Sequence, residues 1–183
     1  MSPINFEAKL FTVGSWIILR LPESASAKLP SRGQTMVKGT VNGSYFRTPL
    51  EPDGKGSHWF RVGETVLKAA NAAGGRTVAL SIEPIKEWME PDVPADLEDA
   101  LAAGSEARVL WGHITPMARW EWIRWIRSTD NSQTRKRRIE VACSKLRAGE
   151  HRPCCWNRNL CTEPSVSKNG VLVSGTPYEL RLN

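Results

Sequence analysis

No run approaching about 18 consecutive apolar residues occurs in the 183-residue chain, so no segment reads as a membrane-spanning helix. The opening stretch MSPINFEAKLF lacks a basic region followed by an apolar one. No signal peptide is expected, and a cytoplasmic location is the expectation. Histidine is scarce: His58, His113 and His151 are the three. None sits in a nucleophile or metal motif, and no P-loop, GxGxxG or GxSxG stretch occurs. Catalysis is therefore not the expected reading. Four cysteines are present, but in a reducing compartment an even count does not imply disulfides. Only two tyrosines and four phenylalanines occur, so the aromatic mass is carried by eight tryptophans. These supply enough buried area for one ordinary domain or two small ones. No internal repeat or low-complexity tract is present.

The formal net charge is +6. Residues 92–107 contain Asp92, Asp96, Glu98, Asp99 and Glu106 and no Lys or Arg. Residues 119–158 contain eleven Lys or Arg against four acids, an excess of +7. A basic segment of this kind can attract nucleic acid or anionic lipid. The blander reading is a solvated helical face beside an acidic one, and it carries more weight.

The first 85 or so residues read as strands. FEAKLFTV and SWIILRL are rich in β-branched and aromatic residues. Asn42-Gly43, between two β-like runs, is the signal for a type I′ hairpin. HWFRV is a short strand, Glu64 to Ala73 is helix-forming, and Val78, Leu80 and Ile82 alternate as in a half-buried strand. Pro91 and Pro94 then mark a boundary. Beyond it Leu97, Ala100 and Leu101 follow helical spacing. Ser105 is the expected cap of a helix carrying Ala107, Leu110 and Trp111. Thr115-Pro116 opens the next, with Thr as N-cap and Pro at the first helical position. Asp130 or Ser132 is expected to cap a last helix with an Ile139, Ala142, Cys143, Leu146 stripe, ended by Gly149. After it regularity fails; VLVS and YELRL read as short strands or extended arms, and disorder is an equal reading for much of the tail.

The stretch ARWEWIRWIRSTDNSQTRKRRI, residues 118–139, raises the functional question. Advanced at about 100° per residue, Trp120, Trp122, Ile123, Trp125 and Ile126 spread over a wide arc. Such a helix is wedged between neighbours, so its tryptophans are expected in the core rather than as a base-stacking platform. Glu121 and Arg124 fall on the polar side. Arg135, Lys136, Arg137 and Arg138 are consecutive and cover a full turn, so they cannot all face one phosphate backbone. They stand near a helix start, where the dipole disfavours cations. Pairing of one or two with the acidic segment is expected.

The run RLPESASAKLPSRGQTMVKGTVNGSYFRTPLEPDGKGSHWFRV resembles the N-terminal barrel of a bacterial domain-of-unknown-function family, DUF1905. Gly39, Thr40, Asn42-Gly43, Phe46 to Leu50, Pro52 and Gly54 carry the likeness. The later half resembles the helical domain named for YdeI and OmpD association, or bacteriocin protection. There the likeness lies in Pro91-Asp92, Ala100-Leu101, Ala107, Thr115-Pro116, Trp125-Ile126 and Thr134 through Ile139. Together these span about residues 5–150. The resemblance implies a double-split type of β-barrel, a fold that also houses small transcription regulators, which is analogy only. Gly75-Arg76 and Ser128-Thr129 depart from the family's Gly-Asp and Ala-Lys.

HRPCCWNRNLC places His151, Cys154, Cys155 and Cys161 within eleven residues. Zinc takes thiolate and imidazole. The plainer reading is no cofactor, with cysteines buried as small hydrophobes. The expected architecture is α+β: a barrel over 1–88, an all-helical domain over 89–150 and an irregular tail over 151–183. The expected role is a non-catalytic protein binding a small ligand or partner, in the barrel or where barrel and helices join, through Arg47, Trp59, Arg135 and Arg138. One alternative is a nucleic-acid-binding regulator using Arg135, Lys136, Arg137, Arg138 and Lys145. Another is a small enzyme with an unmarked site.

Overall fold

The computed structural model describes residues 2–173, in two units. One comprises the chain up to Glu87, with Arg158–Cys161 and the segment from Val166. The other comprises Trp88–Asn157 and Thr162–Ser165.

The first unit is a closed antiparallel barrel. Its strands are β1 (Ile4–Val13), β2 (Trp16–Arg20), β3 (Thr35–Val41), β4 (Ser44–Pro52), β5 (His58–Arg61) and β6 (Thr77–Pro84). Short helices α1 (Glu23–Ser26) and α2 (Glu64–Ala69) lie between them. The order around the barrel is β1-β2-β5-β4-β3-β6. Closure rests on two long strands, each serving two neighbours. Ile4 to Lys9 of β1 pair with β6, and Leu10 to Val13 pair with β2. Ser44 to Leu50 of β4 pair with β3, and Glu51 and Pro52 pair with β5. The Asn42-Gly43 hairpin forms as its sequence dictates, with φ of 45° and 84°.

Alternate residues point inward, and Leu10, Leu19, Val37, Val41, Leu50 and Ile82 are fully buried. Phe46 and Phe60 stack at 5.1 Å between ring centroids. These side chains form one apolar core inside the barrel.

A hairpin of β7 (Ser167–Lys168) and β8 (Val171–Leu172) packs on this unit. Leu172 N–H donates to Asp53 O at 2.8 Å. Gly54 sits at φ +80°, and a Cβ there would lie 2.2 Å from Gly170 O. Glycine is required on both counts. Ile18, Trp59, Cys161, Val166 and Leu172 form a second small core outside the lumen. The run YELRL lies outside the described residues.

The second unit holds α3 (Ala95–Ala103), α4 (Ser105–His113), α5 (Pro116–Arg127) and α6 (Ser132–Arg147). Its core joins Leu97, Leu101, Trp111, Trp122, Ile126 and Leu146. Thr115 Oγ1 accepts from Ala118 N–H and caps α5, with Pro116 first in the helix. The other caps differ from expectation. Asn131, not Asp130 or Ser132, accepts from Thr134 N–H at 2.9 Å. Gly104 precedes α4, so Ser105 lies within the helix and caps nothing.

Trp122 is fully buried and meets Trp125, half-buried against the same core, edge-on at 5.8 Å, whereas Trp120 is half-buried outside that core and donates its Nε1–H to Met89 O. Glu121 and Arg124 correct the sequence reading, being 5% and 1% exposed. The segment after α6 covers that side. Trp156 lies 5.1 Å from the Arg124 guanidinium, Arg152 Nε is 3.6 Å from Glu121, and Trp122 Nε1 donates to His151 O.

Candidate functional site

The consecutive cations of α6 have separate fates. Arg135 makes a bidentate pair with Asp96, at 2.6 and 2.9 Å. That bond is the main reason the Asp96 carboxyl lies below its ordinary range. Arg138 lies over the Trp125 ring at 5.5 Å and donates to Trp125 O and Ser128 Oγ. It therefore closes the carboxyl end of α5, where a cation is favoured. Ser128, a departure from the family pattern, supplies one of its acceptors. Lys145 is held by both oxygens of Glu150. Lys136 and Arg137 are exposed, and neither has a partner among the described residues.

Other arginines of the basic segment serve the fold. Arg119 donates to Trp111 O, Gly112 O and Ile114 O and pairs with Glu90. Arg127 donates to Thr162 Oγ1. Among described residues the helical unit carries eleven Lys or Arg and eleven acids, so its formal charge is zero. The barrel unit carries thirteen against seven, a difference of +6. The charge excess therefore belongs to the barrel unit, because the acids of residues 90–106 fold into one unit with the basic run.

On the barrel, Arg47 Nη2 donates to Glu87 O at 2.7 Å and faces the Glu87 carboxylate at 3.6 Å. Trp59 is 3% exposed, in the small core with Val166 and Leu172. It is not a surface contact, contrary to expectation. The wall formed by β1, β6, β3 and β4 presents a different feature. A shallow open depression of about 490 Å³ is lined by Phe6, Glu7, Thr40, Ala79 and Ser81, among others. Thr40 is the cross-strand partner of both Ser81 and Tyr45. Tyr45 is 65% exposed at this margin.

The family model described as a domain of unknown function (DUF1905) matches residues 6–82, nearly the whole barrel. The model described as Bacteriocin-protection, YdeI or OmpD-Associated matches residues 90–149, which contain all four long helices. The chain pairs these two family domains, in that order. No curated protein matches it.

Within the DUF1905 barrel lies a polar cluster the sequence reading missed. His58 is fully buried. Its Nε2 lies 2.8 Å from Gly33 O, so that nitrogen carries the proton. Its Nδ1 lies 2.7 Å from Ser26 Oγ. Both ring nitrogens have partners, and the ring is closed to solvent. Asp53, 1% exposed, accepts from Lys55 N–H, Ser57 N–H and Arg20 Nε at 2.7, 2.9 and 2.6 Å. The DGKGS run is a legible turn; that its carboxylate is buried is not legible.

The proposed zinc set is not assembled. Cys161 is buried in the barrel unit, whereas His151, Cys154 and Cys155 are exposed in the OmpD-associated unit. Among the described residues no three His, Cys, Asp or Glu side chains are grouped as metal ligands.

Proposed function

We propose that this protein acts by binding a protein partner, without catalysis, through the outer wall of the barrel around Tyr45. The observation that carries the reading is Tyr45, a large amphipathic side chain left 65% exposed beside an open depression. Tyrosine is enriched at protein interfaces, where its ring gives contact area and its hydroxyl a directional bond. The packed lumen and closed sheet support a contact on the wall rather than a ligand inside or a strand added at an edge. The barrel's +6 favours an acidic partner. The bacteriocin-protection description of the helical domain's family agrees with a protein that works by binding.

A photo-crosslinking residue in place of Tyr45, tested in bacterial cells, is expected to give one discrete adduct that Ser81→Trp abolishes. The same residue in place of Val109, 58% exposed on α4, is the control. Equal patterns at the two positions overturn the reading. Nucleic-acid binding is the second reading, supported by the same +6. The barrel cations are interleaved with Glu7, Glu23, Glu64, Glu83 and Glu87, which breaks a continuous phosphate track.

A further inference from the structure

Lys145 lies in the last turn of α6, and the chain then turns back on that helix. Gly149, at φ +83°, makes the turn. Glu150 N–H donates to Lys145 O at 2.9 Å, which fixes the two residues side by side. Beyond it the segment is pinned at intervals. Trp122 Nε1–H donates to His151 O at 3.0 Å, Pro153 is buried, and the Arg124 guanidinium lies over the Trp156 ring. Cys154, between these anchors, is exposed. Lys145 Nζ donates to Cys154 Sγ at 3.5 Å and to the two oxygens of Glu150 at 3.0 and 2.9 Å. An amine, a thiol and a carboxylate thus meet at one open place on the surface.

Amine and thiol together do what neither does alone. Thiolates exchange readily with thioesters, whereas amines attack them slowly. An amide is more stable than a thioester, so an acyl group that reaches the sulfur moves on to an amine within reach. Here that amine is 3.5 Å away. Holding two reactants in contact replaces a bimolecular step by an intramolecular one. We propose that Cys154 and Lys145 form an acyl-transfer site, in which Cys154 takes an acyl group from an acyl thioester and Lys145 receives it as an amide.

The steps balance without redox change. The Cys154 sulfur bonds to the acyl carbon as the donor's carbon–sulfur bond breaks. The donor thiol leaves with the proton that Cys154 gave up. Lys145 Nζ sheds one proton toward the Glu150 carboxylate and attacks the same carbon. The carbon–nitrogen bond forms and the bond to Cys154 breaks. A second proton passes from nitrogen to sulfur and restores the thiol. In sum, one acyl thioester and the Lys145 ammonium give an amide, a free thiol and one proton. The amide carries no charge, so acylation also ends the ion pair with Glu150.

Acetyl-coenzyme A is the probe, incubated with the full chain reduced by a phosphine. Peptide mass spectrometry then follows acetylation of Lys145 and of Lys136, an exposed lysine of the same helix without a partner among the described residues. The Glu150 hydrogen bond holds the Lys145 pKa above its ordinary value, so unaided Lys145 is the poorer nucleophile of the two. Through Cys154 it should instead be acetylated at least about tenfold faster than Lys136. Cys154→Ser should bring it down to the Lys136 rate or below. Lys145→Arg should leave the acetyl group on Cys154, as a thioester that hydroxylamine removes. Circular dichroism checks the fold of each variant, and the wild-type ratio of the two lysines needs no variant. Acetylation of wild-type Lys145 no faster than that of Lys136 overturns the proposal, as does a Lys145 rate that Cys154→Ser leaves unchanged.

Discussion

Asp53 makes three charge-assisted or backbone bonds from a position almost closed to water. Burial by itself raises its pKa. The bonds from Lys55, Arg20 and Ser57 outweigh burial, and the carboxyl ends below its ordinary value. A depressed carboxyl stabilises the fold above the unfolded pKa of about 4, and the contribution fades as pH falls through the folded value. Asp53→Asn is expected to cost about 2 kcal/mol at pH 7 by loss of charged hydrogen bonds. The gap to wild type should narrow at pH 3. Urea unfolding at both pH values measures it; a gap equal at both would mean that the charge is not the cause. At the same scale Trp59 and Tyr45 exchange the roles their types suggest. The tryptophan is packed under the β7–β8 hairpin and the tyrosine is exposed.

Elements are joined by contacts that single positions control. The turn at Gly54 accepts the hairpin only because no Cβ is present. Gly54→Ala is expected to loosen the β7–β8 hairpin. Hydrogen exchange at Leu172 N–H, which donates to Asp53 O, should accelerate while the β1–β6 ladder stays protected. In the helical unit the four cations of α6 should differ by role. Arg138→Gln is expected to cost about 2 kcal/mol, since it loses acceptors at the end of α5 and its contact with Trp125. Arg135→Gln should cost no more than about 1 kcal/mol, its pair with Asp96 being partly exposed. Lys136→Gln should leave the denaturation midpoint unchanged. Equal effects at all three would show that they act as one charge patch. Asn131→Ala should cost about 1 kcal/mol as a lost N-cap.

For the whole molecule the division of charge has a measurable consequence. A neutral helical unit whose cations are tied to Asp96, Glu90, Glu150 and backbone carbonyls offers few to phosphates. Duplex DNA should therefore show no binding with the steep salt slope of a multi-phosphate contact, as fluorescence anisotropy at low salt can check. A steep slope lost on replacing Lys136 and Arg137 together would restore the nucleic-acid reading. Zinc should remain sub-stoichiometric in purified protein, and unaffected by Cys161→Ser.

Local preference alone determined much of this protein. The Asn42-Gly43 turn, the Thr115-Pro116 helix start, the alternation in β6 and the tryptophan stripe of α5 each follow from the conformations their own residues favour. Two adjoining signals, strands before Pro91 and helices after it, likewise made the α+β order legible. What the tertiary structure decided is which groups lose contact with water. Glu121 and Arg124 stand on the polar side of an ideal helix, yet a segment beginning some thirty residues later covers them. Trp59 is covered by residues more than a hundred positions away. The α6 cations find their partners in α3, in α5 and past their own helix, so the apparent basic patch is divided. Burial and pairing depend on contacts distant in sequence, and no local pattern of residue types encodes them.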